Sequence, residues 1–182
     1  MRPTVLVPLA NGFEEIEAIT IIDVLRRANI RVITAGLDRD RVVGAHGIEV
    51  GADMRLEEVE SSSCDMVVLP GGMPGAQHLL EDEKLKSLVQ SFNYNNKRIG
   101  AICASPWVLS EMGVLKDNYT CYPSFEKRIL KGQYHPDCAV VSDHNIITAS
   151  GPSSAMEFAL EIVKELTDDS TYRSVKEGLL FA

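Results

Sequence analysis

Arg98-Ile-Gly-Ala-Ile-Cys-Ala-Ser-Pro-Trp-Val-Leu109 decides the fold: an apolar, strand-like run meets Cys103 and turns at once into a helix-like segment. An abrupt strand-to-helix turn is where an α/β fold exposes a nucleophile above its sheet. Small residues at Gly100, Ala101 and Ala104 leave room for the bend, and Pro106 suits the first turn of the new helix. Free N–H groups at that helix start are expected to favour thiolate over thiol, which predisposes Cys103 to nucleophilic attack and to oxidation.

Outward from that turn the pattern is β-α-β. Thr4 to Leu9, Arg31 to Ala35 and Asp65 to Leu69 read as strands, and Glu14 to Ala28 as a helix. A helical segment over 75–92 follows, then the strand ending at Ile102 and a short helix ended near Gly113. Val42 to Val50 reads as a small hairpin. Ala139 to Ser142 and Ile146 to Ala149 read as short strands, Ser153 to Leu166 as a helix, and a last helical piece follows Ser170. No repeat or linker divides the 182 residues, so one domain over 1–182 is expected. Its architecture is a doubly wound, mostly parallel sheet with helices on both faces and a ligand site at the carboxyl ends of the strands.

Composition narrows the function. A net charge of −8 and a pI near 5.0 oppose a nucleic-acid or anionic-membrane surface and favour a small soluble partner. No apolar run approaches membrane-spanning length. Cys64, Cys103, Cys121 and Cys138 are scattered, without the clustering of a zinc site or a disulfide framework, so no metal is expected and a reducing cytoplasm is the default. His46, His78, His135 and His144 likewise form no ligand spacing and are read as surface or structural residues.

Glu17 is the second candidate. Helical spacing places it on a stripe with Ile21, Val24 and Ala28, while Thr20, Asp23, Arg26 and Arg27 gather on the solvated side. A buried carboxyl tends to keep its proton at neutral pH. If the first strand and the cysteine-bearing fourth strand are neighbours, Glu17 meets Cys103, donates to its sulfur and moves protons during catalysis. The alternative is that Glu17 bonds a backbone group or water. Paired Gly71 and Gly72, after the strand ending at Leu69, offer N–H groups to an oxyanion or an oxidised sulfur, or are simple turn formers.

Asn11-Gly-Phe-Glu-Glu-Ile-Glu-Ala18, Asp65-Met-Val-Val-Leu-Pro-Gly-Gly72, Ala101-Ile-Cys-Ala-Ser-Pro106 and Ser150-Gly-Pro-Ser-Ser-Ala-Met-Glu-Phe158 resemble, in order and spacing, the ThiJ/PfpI superfamily. Within it they are most similar to the branch of the parkinsonism-associated protein deglycase (DJ-one) and bacterial ThiJ proteins. The resemblance covers nearly the whole chain. It implies a flavodoxin-like homodimer, related in its sheet to class I glutamine amidotransferases, with no metal or organic cofactor. It also implies Cys103 as the oxidisable nucleophile, Glu17 as its protonated partner, and Gly72 and Ala104 as backbone donors to the sulfur. Two positions depart from the pattern. Tyr122 stands where relatives have a histidine, and Ser150 where some have an arginine. Tyr122 is therefore an accessory donor at most, since a phenol is a poor base at neutral pH. Cys121 is either a disulfide partner for oxidised Cys103 or a small buried hydrophobe.

The reactions implied are cofactor-independent glyoxalase action on methylglyoxal or glyoxal, and deglycation of early glycation adducts. The rival reading is an oxidative-stress sensor or redox-regulated chaperone acting through oxidation of Cys103. An intracellular cysteine peptidase is less well supported, because Ala104 stands where those relatives carry histidine. Amidotransferase chemistry lacks its late His-x-Glu pair, and serine hydrolase chemistry its Gly-x-Ser-x-Gly turn.

Overall fold

In the computed structural model, which describes residues 2–182, the chain runs β1 (Thr4–Leu9), α1 (Glu15–Arg27), β2 (Arg31–Gly36), β3 (Arg41–Val43), β4 (Glu49–Gly51), β5 (Met54–Arg55) and β6 (Met66–Leu69). It continues with α2 (Gly75–Glu81), α3 (Glu83–Tyr94), β7 (Arg98–Ile102), α4 (Ser105–Glu111), β8 (Asn118–Tyr119), β9 (Gln133–Tyr134), β10 (Val140–Asp143), β11 (Ile146–Ala149), α5 (Ala155–Leu166) and α6 (Asp169–Gly178). Seven strands form one sheet in the order β10-β11-β7-β6-β1-β2-β5. All neighbours are parallel except the edge pair β10/β11. The expected doubly wound, flavodoxin-like architecture is therefore present.

Burial explains why these segments become strands. β1, β6 and β11 are buried at every residue, as parallel strands covered on both faces must be, and so read as continuous apolar runs. One core layer holds Val24, Phe158, Val163 and Val175 from α1, α5 and α6. The other holds Leu79, Phe92 and Val108 from α2, α3 and α4. Inside α1 the stripe expected from spacing faces inward, with Glu17, Ile21 and Val24 buried.

Three expectations need correction. The single helix over 75–92 is two, because the Asp82 side chain accepts the Leu85 N–H at 2.8 Å and caps a new helix. β5 and the small β8/β9 ladder were not anticipated; each is two residues long, too short for any period to register. Finally, the first strand and the cysteine-bearing strand are not neighbours, since β6 lies between β1 and β7.

Candidate active site

Cys103 follows β7 directly and adopts φ 65°, a left-handed conformation unusual for a residue with a side chain. Such a conformation costs about 1–2 kcal/mol and must be imposed by its surroundings. Here the imposing contacts are identifiable. The Cys103 N–H donates to Ala149 O at 2.9 Å, the Tyr122 N–H donates to Cys103 O at 2.8 Å, and α4 starts two residues on. The result is a strand-to-helix elbow at the carboxyl end of the sheet, with Cys103 8% exposed.

Because β6 intervenes, Glu17 and Cys103 meet through the segment that leaves β6. Glu17 is fully buried in the first turn of α1, where Oε2 accepts the Gly71 N–H at 2.8 Å. Its Oε1 is buried without a hydrogen-bond partner, and the carboxyl lies beside Cys103, both of them against Gly71. The Gly72 and Ala104 backbone N–H groups lie beside the Cys103 sulfur and favour its ionised form. The paired glycines thus divide the work, one N–H holding the carboxyl and the next lying beside the sulfur. Neither position tolerates a side chain. A Cβ on Gly71 would lie 2.5 Å from Cys103 Cβ and 2.7 Å from Glu17 Oε2, and Gly72 has φ 91°.

Electrostatics follow from this packing. Burial raises the Glu17 carboxyl from its ordinary 4.5 to about 7, against the lowering by the Gly71 and Cys103 hydrogen bonds. Burial also pushes the Cys103 thiol up, and an ionised Glu17 pushes it further, with only the Gly72 and Ala104 N–H groups acting the other way. The expectation that the helix start alone would favour thiolate therefore needs amending: α4 has seven residues, and desolvation outweighs its field. An ionised Glu17 therefore opposes ionisation of the thiol beside it. Two buried acids in contact hold a single negative charge between them, on oxygen or on sulfur.

The accessory candidates are placed differently. Tyr122 is exposed, with its ring against Gly151, and reaches the elbow through its backbone N–H. Ser150 turns away, donating its hydroxyl to Ser154 Oγ at 3.2 Å. Cys121 is buried in the core layer opposite to that of Cys103, and burial pushes its thiol up to about 12. All four cysteines are free.

His78, His135 and His144 make hydrogen bonds to Asn11 O, Asn118 Oδ1 and Asp143 Oδ1. His46 does more than the sequence suggested. Its N–H and that of Ile48 donate to Glu15 Oε1, and its ring nitrogen Nδ1 lies 3.0 Å from Glu15 Oε2 and 3.7 Å from Glu14 Oε2. These bonds hold the Glu15 carboxyl below its ordinary value. Glu14, Glu15 and His46 are the one group of this kind, among the described residues, whose ligating atoms lie close enough to hold a metal ion. In the structure they clamp the β3–β4 hairpin onto the start of α1. Sequence spacing gave no sign of that clamp, because the two partners are some thirty residues apart.

A cysteine elbow over a flavodoxin-like sheet, with a buried carboxyl beside it, is the class of protein this site defines. Residues 3–165 match the model of the DJ-1/PfpI family, and the chain belongs to that family. It is 42% identical over 166 residues to protein DJ-1 homolog B of Arabidopsis thaliana, covering 90% of this chain but 38% of that longer protein. It is 35% identical to the glutathione-independent glyoxalase DJR-1.2 of Caenorhabditis elegans, covering 93% of this chain and 91% of that one. The crystal structure of Drosophila melanogaster DJ-1beta superposes with a TM-score of 0.97 at 40% identity, covering both chains fully. No helix among the described residues is long and apolar enough to cross a membrane.

Proposed function

We propose that residues 1–182 form one domain acting as a cysteine-dependent, cofactor-independent glyoxalase or deglycase-like enzyme on methylglyoxal, glyoxal or early glycation adducts. The observation that carries this reading is the fully buried Glu17 carboxyl lying beside Cys103, both against Gly71, with the Gly72 and Ala104 N–H groups beside the sulfur. The relative named as a glutathione-independent glyoxalase supports the same substrate class.

The chemistry follows from one shared proton. Glu17 takes the thiol proton, and the sulfur attacks the aldehyde carbon of methylglyoxal to form a hemithioacetal, whose oxyanion receives that proton back. The Glu17 carboxylate then removes the hydrogen from that carbon, giving an enediolate, and returns it to the neighbouring carbon, while the hydroxyl proton of the first carbon passes to the former ketone oxygen. This leaves a lactoyl thioester on Cys103. Water hydrolyses the thioester to lactate and regenerates the thiol, so methylglyoxal and water are consumed without redox change. Gly72 and Ala104 steady charge on sulfur through the sequence. The test is D-lactate formation by purified wild type and Cys103→Ser. Turnover confined to wild type supports the reading, and equal rates refute it.

A second reading, oxidation of Cys103 in a stress-sensing or chaperone role, is favoured by the narrow exposure of Cys103, 8%, which admits peroxide more easily than a bulky adduct. Mild peroxide should then add two oxygens at Cys103 alone. A homodimer is proposed from the exposed apolar side chains of Ile16 and Ile19 on α1 and of Ile48 beside Glu15. A cytoplasmic location is part of the same proposal.

A further inference from the structure

Ser105 lies one residue beyond the sulfur's backbone donor and is fully buried. Its hydroxyl donates to Pro70 O at 2.6 Å. That carbonyl belongs to the same peptide unit as the Gly71 N–H, which donates to Glu17 Oε2 at 2.8 Å. One rigid amide therefore accepts from Ser105 on one edge and grips Glu17 from the other. We propose that Ser105 is a positioning residue, which acts through the Pro70–Gly71 peptide to fix the Glu17 carboxyl against Cys103 and to strengthen its ionised form.

Three physical steps support this. The peptide is planar, so anchoring its carbonyl also fixes the direction of its N–H. A hydrogen bond accepted by a carbonyl polarises the amide and makes its N–H a better donor, a cooperative gain of about 10–30% per bond. A bond donated to a carboxylate stabilises the charged form, as the Gly71 N–H does for Glu17. Gly71 cannot supply rigidity by packing a side chain of its own, because a Cβ there would collide with Cys103 and Glu17. The anchor has to come from outside the strap, and Ser105 is bonded to it directly. The same anchor sets Gly72, the next residue, whose N–H reaches the sulfur. In the sequence, Ser105 is indistinguishable from any small residue at a helix start.

The inference rests on the Glu17–Cys103 pairing of the proposed function but not on its substrate. The test is a carbon-detected titration of the Glu17 carboxyl by NMR in wild type, Ser105→Ala and Ser105→Thr, with melting temperature recorded alongside. In Ser105→Ala the midpoint should rise from about 7 by about half a pH unit. Ser105→Thr, which keeps the hydroxyl, should titrate as wild type does. An unchanged midpoint in Ser105→Ala, or equal shifts in both variants, overturns the proposal. The unsubstituted protein gives a further arm: the Gly71 amide and Ser105 hydroxyl protons should shift with the Glu17 midpoint, and a hydroxyl indifferent to that titration also overturns it. Absence of methylglyoxal turnover in wild type would remove the glyoxalase reading while leaving these titrations interpretable.

Discussion

Replacing Glu17 by glutamine should change the pH dependence of stability, and the structure fixes both its sign and its size. The carboxyl is fully buried, with one oxygen on the Gly71 N–H and the other without a hydrogen-bond partner. Folding raises it from 4.5 to about 7. Between those values the folded chain binds more protons than the unfolded one, so stability falls as pH rises. The loss begins above pH 4.5 and is complete once the pH has passed about 7. At about 1.4 kcal/mol per pH unit, the penalty saturates near 3 kcal/mol. Linkage counts the proton whichever atom gives it up, so sharing with Cys103 leaves the argument unchanged. Glutamine fills nearly the same volume and does not titrate. Urea unfolding of both proteins from about pH 4 to about pH 8 should therefore show wild type losing about 3 kcal/mol relative to Glu17→Gln, a midpoint change exceeding about 1 M at ordinary m-values. Parallel pH profiles would refute the burial argument for Glu17.

Other substitutions probe the remaining contacts. Gly71→Ala places a Cβ 2.5 Å from Cys103 Cβ, and displacing the elbow to admit it should slow Cys103 alkylation by about a hundredfold. An unchanged alkylation rate would show that the strap can yield. Glu15→Gln removes the charge from the hairpin clamp, so the His46 and Ile48 amides that donate to Glu15 should exchange with deuterium faster while β1 amides stay protected. Equal protection in the variant would assign the clamp no role. Phe158→Ala empties a fully buried site beside Gly100 and Met66 and should destabilise by about 3–5 kcal/mol in denaturant unfolding. A loss below about 1 kcal/mol would mean that the core layer under α5 collapses to fill the space.

Much of the fold could be read from residue patterns because the strands that matter are buried on both faces. β1, β6, β7 and β11 announce themselves as apolar runs, and α1 and α5 as amphipathic stripes. Strand order could not be read that way. Nothing in the local pattern says that β6 separates β1 from β7, so the sequence pairs Glu17 with Cys103 for a reason the sheet does not support. The pairing arises instead from the Pro70–Gly72 strap that bridges the gap. Glu17 itself was legible because its stripe is apolar. Glu15 was not, because its burial comes from a hairpin some thirty residues away folding over it. The net direction of the Cys103 shift is not legible in the sequence for a related reason: residue patterns reveal a helix start but not the depth of desolvation around it.

The central claim is that Cys103 and Glu17 share one proton. Its most direct test is the rate of Cys103 alkylation by iodoacetamide as a function of pH in wild type and in Glu17→Gln. Wild type should rise to a plateau with a midpoint near 7, where the pair loses its first proton, and the variant should rise only at the ordinary thiol value of 9.0 or above. Coincident midpoints in the two proteins would contradict the account.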